Sequence, residues 1–345
     1  MGIAQYKNVL ALVPLGIIIL SSLNYGMYES EEAMPKLRFF WDNCSNPKET
    51  IPLLTQYYSK IDFYSPVWYV LLENGSIGYS RYYSPHELLD ICNKHHIDVH
   101  PLVSNYHNGK MDEQIVSSLL NNKTKIDNFI ASLNELIGKY NFSGVNIDFE
   151  DIPKADKNAL LTFLEKVKFG IDPKIILSID VPFKSIRHRS DWNSAFNYRK
   201  IAKIVDFVMV MTYNAHGSWS KPGEIAPISW AKSILSYAQR KIPSEKLFVG
   251  IPRYGYDWIF NESWGGKSYS SYSHFVQRLP LTCSIERTEN MEIVFSYRDG
   301  KYLHTCYFCD STTTIAKEKA LEDRLFRGFC YWHLTSGDNN FFEKI

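Results

Sequence analysis

The sequence predicts an α/β protein, a (β/α)8 barrel with a small α+β insertion between its seventh and eighth strands. Three observations predict it. Short, almost continuously apolar runs recur along the chain, amphipathic stretches with helical period separate them, and the regular spacing breaks only once, before the last run. Strands that are apolar on both faces are covered on both faces, which belongs to a parallel sheet wrapped by helices. Eight such units in a chain of 345 residues suit a closed barrel. A doubly wound open sheet is the alternative, and the absence of a glycine-rich phosphate loop after the first strand counts against it.

The eight runs are LRFFWD (37–42), IDFYSPVWYVL (61–71), IDVHPLVSN (97–105), SGVNIDFE (143–150), KIILSIDVP (174–182), VDFVMVMTYN (205–214), LFVGIPRYG (247–255) and FRGFCYWHL (326–334). Between the third and fourth, Ile126, Phe129, Ile130, Leu133, Leu136 and Ile137 keep the 3.6-residue period, with Gly138 as the expected stop. Leu160, Leu164 and Val167 repeat the pattern after the fourth run, and ISWAKSILSYAQR repeats it after the sixth. The insertion is expected over 258–312, where EIVFSYRDGKYLHTCYF reads as two strands turning at Arg298-Asp299-Gly300. The barrel as a whole is expected over 36–345.

Bulk composition narrows the function. Hydrophobic residues make up 45% and charged ones 22%, as in ordinary globular proteins. A net charge of +1 offers no field for nucleic acid. The 23 Tyr, 20 Phe and 8 Trp suit a core and also flat, weakly polar ligands such as sugar rings. Residues 1–26 read as a signal peptide or signal anchor, because the uncharged run Val9–Leu23 is short for a membrane span. A membrane is a partner only if that segment is retained. Sequons at Asn43, Asn74, Asn122, Asn141 and Asn261 agree with a secretory route, ending outside the cell or in a lysosome. Six cysteines permit bridges there, with Cys44–Cys92 and Cys283 to Cys306 or Cys309 as guesses. Cys306 and Cys309 fall on a strand that points them to opposite faces, and no second pair has ligand spacing, so no metal or organic cofactor is expected.

The chemistry gathers at FSGVNIDFEDIP (142–153). Asn146, Asp148 and Glu150 alternate with Val145, Ile147 and Phe149, so a strand places the amide and both acids on one face. Solvated strands also alternate, but this run is too apolar for an edge. Sites of such barrels lie at the C-terminal ends of the strands, where Glu150 falls. The same end collects Met211, Tyr213 and Asn214 from the sixth run, Tyr254 and Trp258 from the seventh, Trp332 from the eighth and Trp41 from the first. His216 reads as a loop residue, Trp41 equally as barrel packing, and Cys330 as a buried thiol.

These motifs carry a resemblance. SGVNIDFE resembles the DGxDxDxE signature of glycoside hydrolase family 18, the chitinase-like hydrolases, and MTYN resembles its M-x-Y-D. VGIPRYGYDW and YFCDSTTTIAKEKALEDRLFRGFCYWHL are similar to its seventh-strand segment and to its last helix and strand. The likeness runs over 36–335 and is nearest to spore-cortex N-acetylglucosaminidases and di-N-acetylchitobiases. It implies a retaining glycosidase for N-acetylglucosamine-containing oligo- or polysaccharides, in which the sugar's own acetamide is the nucleophile. Glu150 would be the acid and base, Asp148 the acetamide's partner, Tyr213 a donor to its oxygen, and Asn146 a hydrogen-bond donor that favours ionised Asp148. Trp332 would stack under the reacting sugar, with Tyr254, Trp258, Trp41, Met211 and Asn214 as further contacts. Ser143, Asn146 and Asn214 stand where the family carries acids. Two rivals follow: a lectin that binds such glycans without cutting them, and a peptidoglycan N-acetylglucosaminidase.

Overall fold

The computed structural model describes residues 35–81, 85–186, 190–261, 263–279 and 285–345. The apolar leader, Cys283 and the side chain of Asn261 lie outside the description.

The first barrel strand, Leu37–Asp42, pairs in parallel with Phe63–Pro66 on one side and Gly328–Trp332 on the other. Beyond the eighth strand the order runs Leu247–Pro252, Phe207–Met211, Ile176–Pro182 and Gly144–Asp148, every pair parallel. The third strand closes the ring in two pieces. Asp98–Val99 pairs with the second strand, and Leu102–Ser104 pairs with the fourth. Pro101 between them has no N–H to give a ladder. Its carbonyl still accepts from the Asn146 N–H, and the His100 N–H reaches Tyr64 O, so the backbone groups flanking the break stay paired. The second strand also breaks, at Pro66, and resumes as Tyr69–Leu71, which pairs with Leu102–Ser104 and with a short antiparallel strand, Ile77–Tyr79. The runs at 61–71 and 97–105 are therefore broken strands, each interrupted at a proline.

Side-chain alternation sorts two apolar layers. Val145 and Ile147 of the fourth strand, with Phe149 beyond it, join Phe129 and Phe163 of the outer helices in the layer between sheet and helices. Phe39, Phe63, Met209, Phe248 and Cys330 fill the barrel's interior. Fully burying each such side chain contributes roughly 1.5–3 kcal/mol. The helix before the fourth strand spans Lys123–Tyr140, capped at its start by the Asn122 side chain on the Lys125 N–H. It does not stop at Gly138. It ends at Asn141, which takes the left-handed conformation at φ 52° and donates its N–H to Ile137 O. Between the fifth and sixth strands the outer layer thins to two one-turn helices, Asp191–Ser194 and Tyr198–Ile201.

The insertion is larger than a hairpin. Gly255–Asn261, Ser263–Ser270, Glu286–Arg287, Ile293–Asp299 and Tyr302–Phe308 form a five-stranded antiparallel sheet beside the helix Tyr272–Arg278. Gly300, at φ 56°, makes the turn between the last two strands. Phe275, Ile293, Phe295, Cys306 and Phe308 are its core. Glu292, fully buried, fastens it to the barrel by accepting the Ile225 and Ala226 N–H groups and the Lys317 ammonium at 2.9 Å.

Cys44 and Cys92 are both buried free thiols, so the expected bridge between them is not made. Cys44 Sγ lies instead against Asp42 O at 3.3 Å. Cys306 and Cys309 are also free, one in the insertion's core and one just after its last strand, beside Glu292 and Lys317 where the insertion meets the barrel. Among the described residues no helix is long and apolar enough to cross a membrane, and no group of three or more His, Cys, Asp or Glu is placed to hold a metal.

Candidate active site

The fourth strand ends at Asp148, and Glu150 lies just beyond it, where Asp151 turns the chain at φ 53°. Asn105 holds that turn in place. Its Oδ1 accepts the Glu150 N–H and its Nδ2 donates to Glu150 O, each at 3.0 Å. The backbone of Glu150 is thus fixed at the C-terminal end of the strand, with the residue as a whole half-buried. Trp192, on the one-turn helix Asp191–Ser194, lies beside the Glu150 carboxyl and opposes its upward shift. Burial foremost, then the Asp148 and Asp151 charges, push the Glu150 carboxyl well above its usual range.

Asn146 is fully buried and wholly committed elsewhere, so the hydrogen bond expected from it to Asp148 is not made. Its Oδ1 accepts the Trp41 indole N–H at 2.8 Å, while its Nδ2 donates to Ser178 Oγ at 3.2 Å and to Asp180 Oδ1 at 3.0 Å. An indole can only donate, so the amide's orientation is fixed. Asp148, above it on the same face, is 7% exposed and its Oδ1 has no hydrogen-bond partner in the protein. An orphaned buried carboxylate oxygen costs stability and suits a ligand N–H. Burial raises the Asp148 pKa to about 7. Asp180 on the fifth strand is buried too, raised by burial and then by the Asp148 charge.

Tyr213 follows the sixth strand, buried, its ring edge-on to Tyr254 at 6.1 Å. Gly250 lets it lie there: a Cβ at that position would come within 2.9 Å of the Tyr213 ring. Asn214 turns at φ 64°, and its Oδ1 accepts from the Tyr254 and Tyr256 hydroxyls. Met211, nearly buried, packs in the interior layer. Trp332 at the end of the eighth strand is partly exposed and meets Trp41 edge-on at 6.0 Å.

Three expected sugar contacts are corrected by this geometry. Trp258 is fully buried and its indole donates to Gly217 O and Ser220 O, tying the insertion to the loop after the sixth strand. Trp41, 1% exposed, positions Asn146 and offers no face to a ligand. Tyr254, also 1% exposed, spends its hydroxyl on Asn214. His216 is a loop residue, its Nδ1 2.9 Å from Glu224 O. Asn105, Trp192 and Asp180 were not singled out from the sequence. Asp180 carried a readable signal, because SIDVP repeats the odd pattern of an acid inside an apolar strand.

An acid held well above its usual range beside a second carboxyl, at the C-terminal end of a closed parallel barrel, is the equipment of a glycosidase. The chain belongs to the glycosyl hydrolases family 18, whose sequence model matches residues 40–337. It is 28% identical over 299 residues to the uncharacterised glycosylase YvbX of Bacillus subtilis (strain 168), covering 85% of this chain and 86% of that one. It is 27% identical over 240 residues to the cortical fragment-lytic enzyme of the same organism, covering 68% of this chain and 56% of that longer protein. Two solved structures share the fold. The spore cortex-lytic enzyme SleL of Bacillus megaterium QM B1551 superposes with a TM-score of 0.81 at 24% identity, over 91% of this chain and 74% of that one. A chitinase from Chromobacterium violaceum ATCC 12472 gives 0.80 at 21% identity, over 90% and 97%. The protein is a glycosidase.

Proposed function

We propose that this glycosidase cleaves β-1,4-linked N-acetylglucosamine with retention, using the substrate's own 2-acetamido group as nucleophile. The observation that carries the reading is the pairing of Glu150, whose carboxyl is held well above its usual range foremost by burial, with Asp148, whose Oδ1 lacks a partner. Glu150 gives its proton to the glycosidic oxygen as the bond to the anomeric carbon breaks. The acetamide oxygen bonds to that carbon, forming an oxazolinium ion whose positive charge Asp148 stabilises while accepting the acetamide N–H. Tyr213 donates to the acetamide oxygen. Water then adds to the anomeric carbon, giving its proton to Glu150, and the ring opens to the free sugar. Trp332, the partly exposed tryptophan at the end of the eighth strand, supplies the stacking surface. Asn146 keeps its neighbours in register.

Chitooligosaccharides and related glycans are the leading substrates. Peptidoglycan is a second reading, favoured by relatives and fold neighbours described as cortical fragment-lytic or spore cortex-lytic. The apolar run Val9–Leu23 and the sequons, of which Asn74, Asn122 and Asn141 are exposed, support export through a secretory pathway.

The test is hydrolysis of N-acetylglucosamine oligomers and of a matching fluorogenic glycoside. Sugar release is expected from the wild type, and Glu150→Gln is expected to lower kcat by roughly a hundredfold or more while oligosaccharide still binds. Binding without turnover by the wild type would make the chain a lectin. Release from purified peptidoglycan but not from chitin oligomers would select the second reading.

A further inference from the structure

Asp180 has no part in the reaction just proposed, yet it stands inside its machinery. The register pairs Asn146 with Ser178 and Ile147 with Ile179, so Asp148 and Asp180 lie one residue further along adjacent parallel strands. Both are two residues beyond an inward side chain, and both therefore point into the barrel. Neighbouring strands run about 4.8 Å apart, which sets the two carboxyls side by side. The amide that bridges the two strands is Asn146, whose Nδ2 donates to Asp180 Oδ1 at 3.0 Å. Because the Trp41 indole fixes that amide's orientation, Asn146 presents only N–H to Asp180 and cannot itself take a proton.

The groups facing Asp180 are Asp148 and Glu150 at the end of the fourth strand, Tyr213 after the sixth and Cys330 on the eighth. All are neutral or negative. Three carboxyls crowded into one water-poor mouth cannot all ionise.

We propose that Asp180 is the proton-sharing partner of Asp148: the two hold one proton between them, leaving a single negative charge for the reacting sugar. This role rests on the glycosidase reading above for its purpose, but not for its existence. Asp180 touches no substrate atom and acts through Asp148, so it is a positioning residue. Burial and the Asp148 charge both keep its proton on, in agreement with the geometry.

The experiment is an infrared titration of the protonated-carboxyl stretch in the purified chain without substrate, for the wild type, Asp180→Asn and Asp148→Asn. The wild type is expected to retain several buried carboxylic acid bands through neutral pH, those of Glu150, Asp42 and Glu318 among them, and the wild-type minus Asp180→Asn difference spectrum is expected to isolate one more, that of Asp180. Asp148→Asn is expected to lower the midpoint of the Asp180 band by about one pH unit or more, because a neighbouring charge has gone. A midpoint of that isolated band unmoved by Asp148→Asn, or a difference spectrum with no acid band at neutral pH, would overturn the proposal. If Asp180→Asn fails to fold, Asp148→Asn is compared on a Glu150→Gln background, where the acid band that Asp148 still shifts is that of Asp180. No step of this titration needs hydrolysis, so an inactive wild type would sink the substrate reading and leave the shared proton standing.

Discussion

At the scale of single residues, the site is a set of hydrogen bonds with one deliberate gap. Asn146 is satisfied on both sides, Asn105 clamps the backbone of Glu150, and only Asp148 Oδ1 is left over. Trp41→Phe removes the sole strong donor to Asn146 Oδ1, since Ser65 Oγ stands at 3.5 Å. Leaving that buried oxygen unmet is expected to cost about 1–3 kcal/mol, measured as a lower denaturant midpoint, with a fall in kcat because Asn146 can then turn. The reaction needs Asp148 ionised and Glu150 protonated. Activity should therefore rise with pH through the Asp148 pKa at about 7 and fall once Glu150, raised further by that charge, loses its proton. A pH profile of kcat for the wild type checks both limbs; a profile flat through neutrality would contradict the assignment. Much of this was legible in the sequence. Asn146, Asp148 and Glu150 announced themselves as polar groups at alternate positions in an apolar run. Trp41 and Trp258 did not reveal their burial, because a tryptophan at a strand end looks the same whether it faces a sugar or a neighbouring loop.

At the scale of elements, the barrel was readable because strands covered on both faces must be apolar throughout, and chains rarely produce eight such runs otherwise. What the runs concealed was their breaks. Pro66 and Pro101 were visible signs, since proline removes a ladder donor, but the loss is repaired by contacts such as Asn146 N–H to Pro101 O that no sequence pattern marks. The end of Lys123–Tyr140 was misplaced for a related reason. Gly138 is tolerated inside a helix at about 1 kcal/mol, and Asn141 supplies the left-handed stop three residues later. The seventh strand contributes by a missing atom. Gly250→Ala would set a Cβ 2.8 Å from Val210 O and 2.9 Å from the Tyr213 ring. Backbone cannot retreat easily, so the ring must move. The variant is expected to fold with a loss of about 1–3 kcal/mol and to lose roughly tenfold or more in kcat, measured on the fluorogenic glycoside.

At the scale of the whole molecule, buried ionisable groups set how stability follows pH. Asp42, Asp148, Glu150, Asp180 and Glu318 all have pKa values raised above those of the unfolded chain, mainly by burial. Each is protonated in the fold at pH values where the unfolded chain has already released its proton. Their destabilising effect is absent below the unfolded carboxyl range and grows as pH rises toward the folded values, about 7 for Asp148 and Glu318. His100 and His333, lowered by burial to about 3, work the other way, losing stability as pH falls below the unfolded histidine range. The carboxyls outnumber them, so the melting temperature is expected to be higher near pH 5.5 than near pH 8. The reverse order would show that the carboxyls ionise freely in the fold.

The central claim is that the substrate's acetamide does the attacking while Glu150 and Asp148 manage proton and charge. The most direct measurement is kcat/KM for matched aryl glycosides whose N-acetyl methyl carries zero to three fluorines. Fluorine withdraws electrons from the attacking oxygen without altering the leaving group. We expect the rate constant to fall at each step, by roughly a hundredfold or more across the series. A series that stays level would mean that the acetamide is a bystander, and would contradict the account.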